Sequence, residues 1–159
     1  MRLQARGRED AVMRLYHYTG AEHAARIAEQ GLTWLQLPYA LPGRIGIERR
    51  VGSWLTTEGD WQAQSWATSH LTCCDRTEVR FVVRPSGNIR DAIVPWRVAY
   101  GMLGLDQPET IAMLTDGHRG ADAWWISLVR IPRGNLRLEK RHAELLSRLP
   151  VAESQGATK

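Results

Sequence analysis

Short apolar runs alternate along this chain with breaks marked by glycine, proline and charge. Met13 to Tyr18 is aromatic and alternating, which predicts a strand. Thr19-Gly-Ala-Glu22 has the spacing of a capping box, in which the Thr19 hydroxyl accepts from the amide at position 22 and Glu22 reaches back. Ala21, Ala24, Ile27 and Ala28 then recur at helical spacing, up to Gly31 where a left-handed terminator belongs. Beyond Leu32 to Leu35, the segment Pro38 to Arg50 holds two prolines, two glycines and three arginines, and is expected to be a long irregular loop of the functional or mobile kind.

Val51 to Thr56 predicts a second strand, followed by a helix from Glu58 to Ser69 with Thr57 as cap. Thr77 to Val83 is the clearest alternating strand and ends in the turn Pro85 to Asn88. Pro95 and Pro108 each suit the first turn of a helix, running to about Gly104 and to Leu114. Asp122 to Ile131 reads as a strand stopped by Pro132, Leu136 to Leu138 as a short closing strand, and Lys140 to Leu149 as a basic amphipathic helix. Residues 1–12 and 151–159 lack a pattern and are expected to be a disordered leader and tail around one domain at 13–150. Strands interleave with helices without a regular βαβ rhythm, so the predicted class is α+β.

Composition narrows the function classes. The chain has 159 residues, 43% of them apolar and 24% charged, the balance of one ordinary globular domain. Its apolar runs fall short of the roughly 18 to 20 residues of a membrane span, so no membrane partner is expected. The N-terminal residues lack the apolar core of a secretory signal, and the only cysteines, Cys73 and Cys74, are adjacent. Both features fit a reducing, cytoplasmic setting. His70, Cys73, Cys74 and Asp75 have ligand chemistry, but buried inert cysteines are the better reading and no metal is expected.

The net charge is +4, and of 21 basic residues only Lys140 and Lys159 are lysines. Arginine forks bind phosphates in a bidentate manner. The bias therefore fits a phosphate-bearing ligand, and it equally fits the codon usage of a GC-rich genome. Seven tryptophans against one phenylalanine suit stacking on bases as well as core packing. The C-terminal arginines from Arg130 to Arg148 could face a phosphate backbone. Neither a phosphate loop nor a dinucleotide fingerprint is present.

The order strand, His17-Tyr18-Thr19, short helix with Ile27, then Gly31-Leu32 resembles the first motif of the ADP-ribosyltransferase fold, which includes the DNA-targeting ADP-ribosyltransferase toxins and, more distantly, the RNA 2′-phosphotransferases. Ser53 to Thr57 resembles the second motif, and Asp122 to Ser127 falls where the third-motif strand belongs. The blocks at 16–19, 54–56, 74–78 and 124–127 are also similar to a group of small bacterial and phage proteins. The resemblance implies two small sheets with short helices flanking a cleft for NAD, the substrate. It implies a protein that transfers ADP-ribose to DNA, RNA or protein. RNA 2′-phosphotransferase or NAD glycohydrolase chemistry, and an inactive nucleic-acid or protein binding module, are the alternatives.

By the same resemblance His17 would hydrogen-bond the nicotinamide ribose, with Tyr18, Thr19, Gly20 and Trp54 around the nicotinamide and Thr56 at the second-motif strand end. Arg44, Arg49 and Arg50 would hold the pyrophosphate or acceptor. The third-motif glutamate of the family is missing here. No glutamate lies between Glu109 and Glu139, and Asp122 is the nearest carboxylate. Glu78, beside Arg76 and Arg80, reads as an exposed cross-strand ion pair.

Overall fold

The computed structural model describes residues 13–60, 63, 76–118 and 120–139. The leader, most of the helix expected at 58–69, both cysteines and the C-terminal basic helix lie outside the described residues. Glu58, Gly59 and Asp60, where that helix was to begin, have no regular structure.

Among the described residues, eight strands and four short helices alternate in an α+β arrangement. Six strands form one antiparallel sheet in the order β6 (Ile93–Pro95), β7 (Trp124–Ser127), β4 (Ser53–Thr56), β1 (Leu15–Thr19), β5 (Val79–Val83) and β8 (Leu136–Leu138). The other two, β2 (Trp34–Leu41) and β3 (Arg44–Val51), pair only with each other.

Each face of the large sheet buries its own core, because side chains alternate between faces along every strand. Leu15, Leu55, Val79, Phe81 and Val83 pack on one face against Ala24 and Ile27 of helix α1 (Ala21–Gln30). On the other, Ile126 packs with Trp54 and Trp124 against Trp96, Ala99 and Tyr100 of α3 (Trp96–Met102), Leu114 of α4 (Pro108–Thr115), and Leu35 and Leu37 of β2. A short α2 (Asn88–Asp91) contributes Ile89 to the first core.

The segment Pro38 to Arg50, expected to be an irregular loop, is instead most of a β-ribbon. Leu35 and Leu37 are buried while Trp34 and Gln36 are exposed, an alternation that places one face of β2 on the protein body. Pro38 does not interrupt the ribbon. The Pro38 carbonyl, which accepts from Tyr100 Oη at 2.9 Å, points away from β3, and the missing N–H would have pointed the same way. Pro42-Gly43 makes the two-residue turn, with Gly43 at φ 70°. Trp54 Nε1 donates to the Gln36 carbonyl at 2.8 Å and the Ala40 amide donates to Thr110 Oγ1 at 3.0 Å, so side chains of the body occupy the inner edge of β2.

The capping box also resolves differently. Thr19 stays in β1, paired with Val79, and the residue preceding α1 is Gly20, with no side-chain cap. Sheet pairing has taken the residue that local sequence offered as a cap. Pro95 precedes α3 as expected, but it also ends β6, an edge strand missing from the sequence reading. Asp122 lies in a 3-10 turn, Ala121–Ala123, ahead of β7 rather than on it. Among the described residues no helix is long and apolar enough to cross a membrane.

Candidate functional site

The large sheet is weakest at its centre. Strand β1 pairs with β5 along all five of its residues and β4 pairs with β7 along all four, whereas β1 and β4 are in register only at Tyr16 and Thr56. Beyond that pair the His17 side chain takes the place of the ladder. Its Nδ1 lies 2.9 Å from the Trp54 carbonyl and 3.0 Å from Ser53 Oγ, and Ser53 Oγ donates to the same carbonyl at 3.2 Å.

This geometry selects a tautomer. A carbonyl oxygen only accepts, so Nδ1 must carry the proton, and the unprotonated nitrogen is Nε2. Burial lowers the His17 pKa from 6.5 to about 4; the Arg76 and His23 charges push the same way, while the bond to the Trp54 carbonyl opposes them. The ring is therefore a neutral, fixed imidazole at pH 7, with an acceptor nitrogen that makes no hydrogen bond to the described residues.

Immediately downstream, the α1 N-terminus is capped by a residue distant in sequence, just ahead of β5. Glu78 Oε2 accepts the Ala21 amide at 2.7 Å, in place of the exposed cross-strand ion pair expected for Glu78. A carboxylate at a helix N-terminus also meets the positive end of the helix dipole. Glu22 and His23 Nε2 are 3.5 Å apart on the first turn. Gly20 is buried and extended, and the Glu22 carboxylate lies over it.

A second polar cluster holds the opposite face of β1. Tyr18 Oη donates to the Glu58 carbonyl at 3.1 Å and accepts from Arg80 Nη1 at 3.3 Å. Arg80 also donates to the Gly59 carbonyl at 2.5 Å, and its guanidinium lies 4.8 Å from the Tyr16 ring centroid. Burial raises the Tyr18 pKa, which keeps its hydroxyl a donor. Thr56 Oγ1 accepts the Glu58 amide at 3.0 Å. Tyr18, Thr56 and Arg80 thus fix where the chain leaves β4.

The sequence-derived candidates divide into three groups. His17, expected at a strand end, is the middle residue of β1, with Thr19 its last residue and Gly20 next before α1, while Tyr18 on the other face and Thr56 of β4 both bond the main chain of Glu58. Trp54 is an anchor: its indole bonds the ribbon and its ring stands 6.0 Å from Trp124, edge to face. Arg44, Arg49 and Arg50 lie on β3 rather than on a loop beside His17, and none of them is among the charges acting on the His17 ring. Asp122 is exposed. Three contributors were missed as such: Ser53, Arg76 and the capping role of Glu78. Ser53 is assigned by its hydrogen bond to His17 and Arg76 by the effect of its charge on the ring, neither of which adjacent sequence encodes.

Among the described residues no group of histidine, cysteine and carboxylate side chains could hold a metal ion. Comparisons of the chain with protein-family models, curated proteins and solved structures found no match.

Proposed function

We propose that this chain is an ADP-ribosyltransferase-like protein that binds NAD where β1 and β4 part, and transfers ADP-ribose to a nucleic-acid or protein acceptor. The observation that carries the reading is the neutral His17, held through Nδ1 by the Trp54 carbonyl with Nε2 left to accept. A ribose hydroxyl is a donor of the right kind for that nitrogen. Positive charge develops on the ribose as nicotinamide leaves, and an imidazole that stays neutral orients the sugar without repelling that charge. Arg76, whose charge acts on His17 while those of the β3 arginines do not, is the arginine this reading assigns to the pyrophosphate.

The test is a thermal-shift titration. NAD at millimolar concentration should raise the Tm of the wild type, since a ligand bound only by the folded state stabilises it. His17→Ala should abolish the rise and Arg76→Ala should weaken it. No rise for the wild type overturns the reading. Transfer of label from NAD to oligonucleotides or to protein identifies the acceptor, and nicotinamide release without any labelled acceptor marks a glycohydrolase.

A second reading, a pocket that binds nucleotide without turnover, is favoured by the position of Asp122, exposed and ahead of β7. Loss of a positioned acid or base typically costs about 10²- to 10⁴-fold in rate. A Tm shift with no nicotinamide release from a fresh preparation would select this reading.

A further inference from the structure

The ribbon of β2 and β3 turns one face to the body and the other to solvent, and the outer face is apolar. Register places Trp34 opposite Val51, Pro38 opposite Ile47 and Ala40 opposite Ile45 on that face. Trp34 is 72% exposed, Val51 54%, Ile47 48% and Ile45 43%, which makes four of the seven exposed large apolar residues among the described ones neighbours on one small surface. The only charge on this outer face is Arg49, opposite Gln36. Tryptophan, isoleucine and arginine around an apolar centre are the composition of the energetic core of a protein interface.

The edge of the ribbon points the same way. Side chains of the body occupy the inner edge of β2, whereas the outer edge of β3 pairs with no strand among the described residues. Arg44 and Arg50 stand on the opposite face of β3 from Arg49, and the one acid of the ribbon, Glu48, is already paired with Arg50 at 2.9 Å. A strand added to this edge would meet apolar side chains on one face and arginines on the other.

We propose that β3 is a docking edge for an extended segment of a partner protein in which acidic and apolar residues alternate. Its main chain would extend the ribbon by a third strand. Apolar residues would lie along Ile45 and Ile47, and acids beside Arg44 and Arg50. Charge complementarity selects this occupant over a second copy of the chain. The protein carries a net +4, and an antiparallel edge-to-edge dimer would set the β3 arginines of two copies against one another. It is favoured over nucleic acid as well, because a backbone of phosphates would find a single arginine amid the aliphatic outer face.

The probe is a fluorescein-labelled decapeptide alternating Glu and Val, measured by anisotropy against the full chain. Saturable binding is expected in the micromolar range. A tenfold or greater loss is expected on replacing Glu by Gln in the peptide, on placing Pro at its centre, or in the protein variants Arg50→Glu and Ile47→Thr. Circular dichroism melts keep unfolding separate from lost binding, and binding should survive in His17→Ala, so the inference stands or falls apart from the NAD pocket. It is overturned if the Gln peptide binds as well as the Glu peptide, or if no binding appears at millimolar peptide. It is also overturned if sedimentation shows a dimer that Ile47→Thr dissolves, or if a 15-mer of thymidylate binds the ribbon with the same variant sensitivities.

Discussion

The junction of β1 and β4 and the ribbon at β2 and β3 obey opposite rules. At the junction, polar atoms are buried and held: the Trp54 carbonyl, Ser53 Oγ and Nδ1 of His17 satisfy one another, and Glu78 answers the Ala21 amide. On the ribbon, apolar side chains are left in water while the outer edge of β3 pairs with no strand among the described residues. Buried polar groups that are fully paired fix geometry, which suits a small ligand read by a few atoms. Exposed apolar groups on a stiff two-stranded scaffold fix only a surface, which suits a larger partner. The contrast also separates two sets of arginines: the charge of Arg76 acts on His17, and Arg44, Arg49 and Arg50 belong to the ribbon.

The sharpest way to break the contrast is at the residue that joins the two regions. Gly52 sits between β3 and β4 at φ 143°, and a Cβ there would meet the Ser127 carbonyl of β7. Gly52→Ala combines a backbone conformation foreign to alanine with a clash against main chain. It should cost about 3 kcal/mol or more. For a chain of this size that is roughly a 6–12 °C fall in Tm by calorimetry. A fall under 2 °C would mean that the ribbon is hinged freely rather than held.

Acid should weaken the junction of β1 and β4 and spare the ribbon. His17 has a folded pKa of about 4 against 6.5 unfolded, so between those values the unfolded chain binds more protons. Its contribution is therefore complete above pH 6.5 and is lost as the pH falls through 4. The shift corresponds to an upper bound of about 3–4 kcal/mol. His17→Asn keeps a side-chain N–H for the Trp54 carbonyl but does not titrate. The Tm gap between wild type and this variant should thus narrow steadily from pH 7 to pH 4, and a constant gap would sink the assignment.

How much of this could be read in the sequence followed from how local each signal was. Pro108 opening α4, Gly31 closing α1 and the short strand Leu136–Leu138 were legible because adjacent residues determine them. The ribbon was not, since Pro38 looks like a breaker until the Tyr100 bond reveals that it faces away from the ladder. Thr19 looked like a cap because the competing claim on it comes from Val79, sixty positions away. In the site, His17 stood out from its place at a strand end ahead of a short helix, whereas Ser53, Arg76 and Glu78 acquire their roles only when distant strands meet.

Glu78 sharpens the comparison further, because it ties the start of α1 to the residues entering β5. Glu78→Ala removes the side chain that accepts the Ala21 amide and should cost about 1–2 kcal/mol, the usual range for losing a helix cap. Thr19→Val, at the residue that local sequence nominated as cap, should cost less. If the two chemical melts rank the other way, Thr19 and not Glu78 caps α1.

The smallest effect tests the ribbon itself. Ile47→Thr and Trp34→Ser change residues that are 48% and 72% exposed, and Thr keeps the β-branched shape that β3 favours. Surface changes of this kind usually stay within about 0.5 kcal/mol. Both variants should therefore melt within 2 °C of the wild type, in contrast to Leu37→Ala on the inner face, where a fully buried side chain should cost about 2–5 kcal/mol. A melting loss at Ile47 comparable to that at Leu37 would show the outer face to be part of the core of the isolated chain, and the distinction between a held junction and an exposed ribbon would go with it.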